Sequence, residues 1–592
     1  MKKTIILFII IFETIDLLGQ EIYIVRNKHP NATIVVLEKT NKQLNEVAIN
    51  LREYIFKSTN AKLNITNSIN PSQNNIIIAT QFAGAVYNYN ALDEDGFLIK
   101  TSKNNIIISG KTNWGTEYGV YEFLERFLGV RWLMPTELWT EIPVKSDIRV
   151  SKMEISENPK FLSRSFFPVN IENRNEQLNK WGRNNRLRNR VEFHHNLRNI
   201  FKVENIVKSN PQFLPVIDGK RYIPKNNRDE NWQPNFRANG VDSYAANEII
   251  KYFRDNPERM SISLGVNDSG NFDKRNSSEK INYIGRENYS DAYYNWVNKT
   301  VSIVNRNVQG KKFGLLAYSR VAEPPNFRLV DNVIPFITYE RLMWLEPALK
   351  RKDIEVSRTW QQLTKEYGWY DYVYGGVYLV PRIYFNHYQE YLKTAYSLNV
   401  RYYVAEYYPN WLEGPKGWLM TKLLWNPNQN LDILLNDWYV NAVGQKSADY
   451  LKQFYDLWEN VWTKDIPKSN WWKRKGGTYL YFDVQTYVSD IAYDKILRAD
   501  ELLKMAYNNT SNNIQRARVN DLMDMWEFSK MNYLYFRQKN NNSTKSVNQE
   551  QRLINAKKVT KKEIDVKIEE LEKHPLHNTI MYMYKSPNRV RY

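Results

Sequence analysis

Apolar residues along this chain recur with two different periods, and the switch between them outlines its organisation. From residue 21 to about 150, short apolar runs at 32–37, 75–79, 95–99 and 105–109 read as strands. Between them, 44–56 and 114–128 carry apolar residues three and four positions apart and read as amphipathic helices, the second closed by Gly129. The pattern predicts a small α/β domain over 21–150.

Beyond Lys160, strand-like runs recur at 161–169, 190–194, 213–217, 260–266, 313–318, 333–338, 370–377 and 400–405. Helical patterns fill many of the gaps, as at 290–304, 353–367 and 384–397. Eight strands alternating with helices over roughly 250 residues match a (β/α)8 TIM-like barrel, placed here at 155–430. An open doubly wound sheet is the alternative. After Trp425 the period becomes helical throughout, at 431–443, 448–461, 491–507, 513–535 and 549–571, with an Asn-rich loop at 538–546. This predicts a helical C-terminal region over 431–592, in which the tail from Pro575 carries no assignable element.

The first 20 residues stand apart. Lys2 and Lys3 precede an apolar run from Thr4 to Ile11, and Gly19 follows shortly after, as in a cleavable secretory signal peptide. The run is shorter than the ~20 residues a bilayer span needs. A secreted or periplasmic protein without stable membrane insertion is therefore expected. The 592-residue chain contains no cysteine, so neither a disulfide nor a lipid-bearing cysteine can form.

Aromatic residues reach 14%, with 18 Trp and 41 Tyr, which suits a protein that stacks rings on sugar faces and also suits the core of a large barrel. The formal charge of +19 admits nucleic acid, an acidic polysaccharide or a generally basic surface as explanations. Export argues against nucleic acid, and the basic residues are spread along the chain rather than clustered.

In a TIM barrel the active site lies at the C-terminal ends of the strands, so the strand runs become a roster of candidates. The 260–266 run leads into Asn267 and Asp268, an arrangement that an ordinary Asp-Ser-Gly turn would also explain. The 333–338 run ends at Tyr339 and Glu340 with Trp344 close by. The 400–405 run ends at Glu406 and Tyr407, with Trp411 following. The 190–194 run ends in His194 and His195, and the 313–318 run in Tyr318. Carboxylates among aromatics can have raised pKa values suited to acid catalysis, although pairing with a neighbour such as Arg341 is the commoner fate. The six histidines form no recognisable metal-ligand spacing, and nucleophile-elbow, phosphate-loop and dinucleotide motifs are absent, so no metal or cofactor is expected. Carboxylate chemistry, the kind used in glycoside cleavage, remains.

The spacing of Gly110, Gly115, Tyr118, Gly119, Phe123, Leu124, Gly129, Arg131 and Trp132 resembles the end of the N-terminal domain that precedes the barrels of glycoside hydrolase families 20 and 67. Downstream, Asn210-Pro211-Gln212-Phe213, Asp218-Gly219-Lys220-Arg221, the stretch from Ser263 to Asp268, and Lys422-Leu423-Leu424-Trp425-Asn426-Pro427 resemble the domain of unknown function 4838, some members of which form glycoside hydrolase family 163. The resemblance implies a barrel related to those of hexosaminidases. Many of these use the substrate's own 2-acetamido oxygen as nucleophile, with adjacent acidic residues at the fourth strand. Carried onto this chain, it implies Asp268 as general acid and Asn267 as an orienting group. The pair departs from two consecutive carboxylates. A two-carboxylate mechanism would instead join Asp268 to Glu340 or Glu406.

The expected function is thus an exported glycoside hydrolase acting on a polysaccharide or glycoconjugate, with N-acetylhexosamine units as one candidate substrate. His194, His195, Tyr318, Tyr339, Trp344, Tyr407 and Trp411 are the candidate sugar-binding residues. A non-catalytic glycan-binding protein and a lyase acting on acidic glycans are the competing readings.

Overall fold

The computed structural model describes residues 21–170, 175–473, 479–480, 485–541, 557–586 and 590. The expected leader at 1–20 lies outside the described residues. Among those described, no helix is long and apolar enough to cross a membrane. The chain divides into two compact units, one running to Val130 and including Ile142–Asn158, the other made of Arg131–Glu141 and the chain from Pro159 onward.

The first unit holds a six-stranded mixed sheet. Its strands are β1 (Ala32–Val36), β2 (Asn64–Thr66), β3 (Asn74–Ile78), β4 (Phe97–Ser102), β5 (Asn105–Gly110) and β6 (Glu154–Glu157), in the spatial order β6-β4-β5-β3-β1-β2. The isoleucine runs of β3 and β5 pair in parallel register, Ile76 with Ile106 and Ile77 with Ile107, as expected of strands buried on both faces. Helix α1 (Lys42–Thr59) starts where Asn41 accepts a hydrogen bond from Leu44 N and ends at Asn60, which turns left-handed. Helix α2 (Asn113–Phe123) is capped by Thr112. A Cβ at Gly115 would run into the carbonyl oxygen of Gly96, so this position of the glycine-rich motif is set by packing.

The second unit is built on six parallel strands: β7 (Ser163–Phe167), β8 (Ser261–Ser263), β9 (Lys312–Ala317), β10 (Val333–Tyr339), β11 (Gly368–Tyr372) and β12 (Tyr402–Glu406). Their spatial order is β7-β12-β11-β10-β9-β8, curled into a half-barrel. Two of the eight expected strands therefore do not join the sheet. The 213–217 run is drawn into a local hairpin, in which Val216 and Ile217 pair with Arg221 and Lys220 around an Asp218-Gly219 turn with both φ angles positive. The 190–194 run is more informative, because it lies between the sheet's two edges without forming a ladder.

There the backbone is satisfied largely by serine side chains. Arg190 N donates to Ser163 Oγ on β7 (3.0 Å) and Glu192 N to Ser261 Oγ on β8 (2.9 Å), while Ser263 Oγ donates to His194 O. Single bridges, Arg164 to Arg188 and His195 to Gly265, tie the two ends. Val191 and Phe193 from this segment share one apolar cluster with Leu316, Ile334, Phe336, Tyr370, Tyr402 and Val404, and the Phe193 and Phe336 rings lie 4.5 Å apart. Hydroxyl-mediated contacts thus replace ladder bonds where the parallel sheet ends.

Most of the C-terminal helices form where their periodicity predicts: Leu431–Val443, Gln445–Asn460, Tyr493–Asn508 and Asn513–Asn541 are helical. The last of these runs on through 538–541, the start of the expected 538–546 loop, whose remainder lies outside the described residues. Of the expected 549–571 helix only Lys561–Leu571 forms; 557–560 are non-helical, with Thr560 as the N-cap, and 549–556 lie outside the described residues. The tail forms a further short helix, Asn578–Lys585. Twelve of the 18 tryptophans, among them Trp232, Trp296, Trp369, Trp411 and Trp438, are fully buried, so the tryptophan excess serves the core rather than a sugar surface.

A fully buried ionic chain ties together three connections at the C-terminal side of the sheet. Arg382, between β11 and the helix Phe385–Ser397, bonds Glu340 at the end of β10 through its guanidinium, and Leu480 N donates to the other Glu340 oxygen at 2.6 Å. The Arg382 backbone N–H donates to Glu413 Oε1 (2.8 Å). Lys416 Nζ donates to Glu413 Oε2 (2.9 Å) and to Arg382 O (3.0 Å). Burial pushes Glu340 up to about 7 and Glu413 up to about 6 against the pull of their cations, and brings Lys416 down to about 8.

Three tests follow from this packing. A Cβ at Gly314 would meet the Glu192 carbonyl oxygen and Val191 Cγ1 (2.7 Å), so Gly314→Ala must push the 190–194 segment off the sheet. A loss of about 1–3 kcal/mol in urea denaturation is expected, and an unchanged midpoint would rule out close packing at this seam. Glu340 binds its proton more tightly folded (about 7) than at its ordinary 4.5. Its contribution to stability is therefore complete below about pH 4.5 and is lost as the pH rises through about 7. The stability margin of wild type over Glu340→Gln should narrow across that window, and a margin constant with pH would count against this reading. In Arg382→Met the Glu340 carboxylate loses its buried cation, while Glu413 keeps Lys416 and the backbone N–H of residue 382, and a loss of about 3–5 kcal/mol is expected.

Candidate active site

Side chains alternate along each parallel strand, so every second residue of β10, β11 and β12 faces the enclosed side. Phe336, Tyr370, Tyr402 and Val404 belong to the inner cluster, with Tyr372 packed against it. Continuing the alternation past the strand ends brings Tyr374, Glu406 and Tyr408 to the C-terminal mouth of the sheet.

An unbroken series of ring contacts runs around this mouth. His195 lies 5.8 Å from Tyr318 and 4.6 Å from His194, which stacks on Phe167 at 5.8 Å. Phe167 meets Tyr408 edge-on at 5.4 Å, and Tyr408 stacks flat on Tyr374 at 5.4 Å with 3° between the planes. Tyr374 continues to Tyr372, and Tyr372 to Tyr479 at 5.1 Å. The Tyr479 hydroxyl reaches Thr338 Oγ1 at 3.1 Å, on the inner face of β10.

Asp268 stands within this girdle with its side chain 59% exposed. The Tyr318 hydroxyl donates to its Oδ1 at 3.3 Å, and His195 Nε2 lies 3.9 Å from the same oxygen. His195 Nδ1 faces the Val266 carbonyl, which can only accept, so the ring's proton belongs on Nδ1 and the Nε2 lone pair faces Asp268. Burial lowers the pKa of His195 and, reinforced by its neighbour, brings His194 down to about 4, so both imidazoles are neutral near pH 7. Burial, followed by the Asp268 charge, raises the Tyr318 phenol far above its ordinary value.

Asn267, expected as an orienting group, is 1% exposed and committed within the chain. Its Oδ1 accepts from Arg198 N (2.9 Å), its Nδ2 donates to Trp232 O (2.8 Å), and its backbone N–H donates to Gln233 Oε1 (3.0 Å). It fixes the loop that presents Asp268. The two nearby arginines are also paired, Arg198 with Glu230 and Arg320 with Glu287.

Glu406 ends β12 beside Phe167 on one neighbouring strand and Tyr372 on the other. The hydroxyls of Tyr370 and Tyr374 hydrogen-bond its carboxylate, and the phenol of Tyr318 feels both Glu406 and Asp268. Two residues on, Tyr408 holds φ at +39°, a left-handed conformation that costs a non-glycine residue about 1–2 kcal/mol. Its backbone is fixed in place by Phe167 O, which accepts from Tyr408 N at 3.0 Å, and by Gly376 N, which donates to Tyr408 O at 2.6 Å. Strain of this kind gathers at functional sites.

Several expected site residues lie elsewhere. Glu340 is 3% exposed and sits under Leu480 in the buried ionic chain. Tyr339 and Tyr407 occupy the alternate strand positions and point away from the mouth. Tyr339 OH donates to Leu349 O, and Tyr407 packs on Phe166 and Trp411. The indole of Trp344 donates to Asp353 (2.9 Å) and that of Trp411 to Thr579 (3.1 Å), and both are fully enclosed. In their place the mouth presents Phe167, Tyr370, Tyr372, Tyr374, Tyr408 and Tyr479. The alternation Tyr370-x-Tyr372-x-Tyr374 and Glu406-x-Tyr408 carried a signal for most of these, whereas Tyr479, from outside the sheet, had none. Among the described residues no group of three or more His, Cys, Asp or Glu side chains is placed to hold a metal.

No curated protein sequence resembles this chain closely enough to count as a relative. Among solved structures, a family GH115 4-O-methyl-alpha-glucuronidase with specificity for decorated arabinogalactans superposes with a TM-score of 0.62 at 12% identity, over 96% of this chain and 80% of the other. A GH138 enzyme targeting pectin rhamnogalacturonan II gives 0.52 at 11% identity, over 93% and 92%. At such identities the likeness establishes a shared fold. The N-acetyl-beta-hexosaminidase of Streptomyces plicatus reaches 0.40 at 12% identity, over 72% and 91%, too weak a likeness to argue from. In sequence, residues 24–123 match the N-terminal domain of glycosyl hydrolase family 67, and residues 134–456 match the domain of unknown function DUF4838. With more than half of its length in that match, the chain belongs to the DUF4838 family.

Proposed function

We propose that this protein is a glycoside hydrolase whose reaction takes place at the C-terminal mouth of the parallel sheet, with Asp268 as general acid and Glu406 as its carboxylate partner. The observation that carries the reading is the pairing of two differently held carboxylates around one phenol, Tyr318, inside a girdle of aromatic rings. Glycosidic cleavage needs a proton for the leaving oxygen and a negative charge facing the developing oxocarbenium ion. Asp268 is 59% exposed at the mouth beside the Tyr318 hydroxyl and His195, where its carboxyl can reach a leaving-group oxygen. Glu406 accepts from two tyrosine hydroxyls, which favour its charged form and suit a nucleophile or base.

Substrate assistance by an acetamido group fits less well, because Asn267 is committed to Arg198 and Trp232. A lyase would need a cation to neutralise a uronic carboxylate, and the arginines beside Asp268 are already paired. The basic-then-apolar leader from Lys2 to Ile11 fits export to where polysaccharides are met.

Incubating the purified protein with arabinogalactan, rhamnogalacturonan, xylan, chondroitin and chitin oligosaccharides should release reducing ends from at least one. Asp268→Asn and Glu406→Gln should each lower that rate by about 10²–10⁴ with the circular dichroism spectrum unchanged. Full activity in either variant sinks the assignment, and binding without release in wild type would make the protein a glycan-binding module instead. Removing a donor to the Glu406 carboxylate raises its pKa, so Tyr374→Phe should move the acidic limb of the kcat/KM profile to higher pH. An unmoved limb would exclude Glu406 as the ionised partner.

A further inference from the structure

The segment at 190–196 leaves a second cavity on the other side of the half-barrel wall. Because the chain after His195 forms only short helical pieces, Leu197–Ile200 and Val203–Ser209, no long helix from that stretch fills the space between this segment and the helix Val241–Asp255. The result is a cavity of about 530 Å³, within the range of about 300–1,000 Å³ typical of small-molecule sites. His194 and His195 line it as well as the mouth, where the His195 ring faces Asp268.

The lining of this cavity is amphipathic. Ile249 and Ile262 supply a buried apolar patch, and the partly buried Tyr252 adds a ring. Glu192 and Glu248 face the same space, and neither side chain has a hydrogen bond or ion pair among the described residues. Glu192 is exposed and Glu248 half-buried, and a carboxylate can only accept, so the two offer acceptors to the hydroxyls of an entering ligand. Asp255 also lines the cavity, paired with Lys251 at 2.5 Å, and Lys202 and Arg259 complete the charged set. Three acidic groups are thus matched by three basic ones, which suits an uncharged ligand. A pyranose offers such a combination, with C–H faces for the ring and the aliphatic patch and hydroxyls around its edge.

We infer that this cavity is a second saccharide-binding site, for uncharged sugar units of the same glycan whose bond is cut at the mouth. The inference rests on the glycoside hydrolase reading for the nature of its ligand.

The test uses the full chain in a Glu406→Gln background, which stops turnover, and titrates cellohexaose, xylohexaose, mannohexaose and chitohexaose by calorimetry, with trigalacturonate as the charged control. At least one neutral hexaose should bind, and binding should weaken about tenfold when Tyr252→Ala and Glu192→Gln are added. Glu248→Gln alone, a conservative change on the helix, should weaken it in the same direction and guards against a folding defect. Equal affinity with and without the cavity changes overturns this inference while leaving the mouth as the binding site and the proposed function intact. Trigalacturonate binding that is lost with the cavity changes overturns the uncharged assignment. Absence of binding by every hexaose overturns the inference too, and the reducing-end assay then judges the proposed function separately.

Discussion

The buried ionic chain Glu340–Arg382–Glu413–Lys416 is the constraint on which the rest of the site depends. Three connections leave the sheet at its C-terminal side, after β10, β11 and β12, and each contributes a charged group to this chain. Unpaired, any one of these groups would be very costly in so dry a setting. Together they fix the loops relative to one another, and the Arg382 guanidinium also lies 4.6 Å from the centre of the Tyr378 ring. Tyr374 and Tyr408, which precede Arg382 and Glu413 along the chain, are thereby held where their rings stack.

Environment separates four carboxylates into two kinds. Glu340 and Glu413 are sealed in, matched with cations and raised in pKa by burial. Asp268 and Glu406 reach the open mouth and meet phenols and neutral imidazoles instead. The first kind holds the fold together and the second is available to a ligand. Glu340 and Glu406 each stand at the end of an apolar strand, and the cation next to Glu340, Arg341, pairs with Asp353 instead. The difference comes from Arg382, more than 20 residues away from either, and from Leu480, which arrives from beyond the sheet.

The seam at 190–196 follows a related logic. A parallel strand needs a partner on each side to satisfy its backbone, and here serine hydroxyls at Ser163, Ser261 and Ser263 meet much of that need. The substitution lets the segment depart from regular strand geometry, and the departure opens the second cavity behind His194 and His195. One irregularity therefore shapes the space on both faces of the wall.

Much of the fold was legible in the sequence because local period reports directly on secondary structure. The helices of the first unit, the six strands of the half-barrel and the C-terminal helices up to Asn541 appear where periodicity places them. Asp268 and Glu406 could be found as polar residues at strand ends, and strict alternation would have separated Tyr408 from Tyr407. Tertiary structure alone decided which strands pair, since a short apolar run such as 213–217 satisfies its backbone equally well in a local hairpin. It also decided which carboxylates are sealed by distant cations and which tryptophans vanish into the core. Pairing and burial depend on partners far along the chain, and a residue's own neighbourhood in sequence carries no record of them.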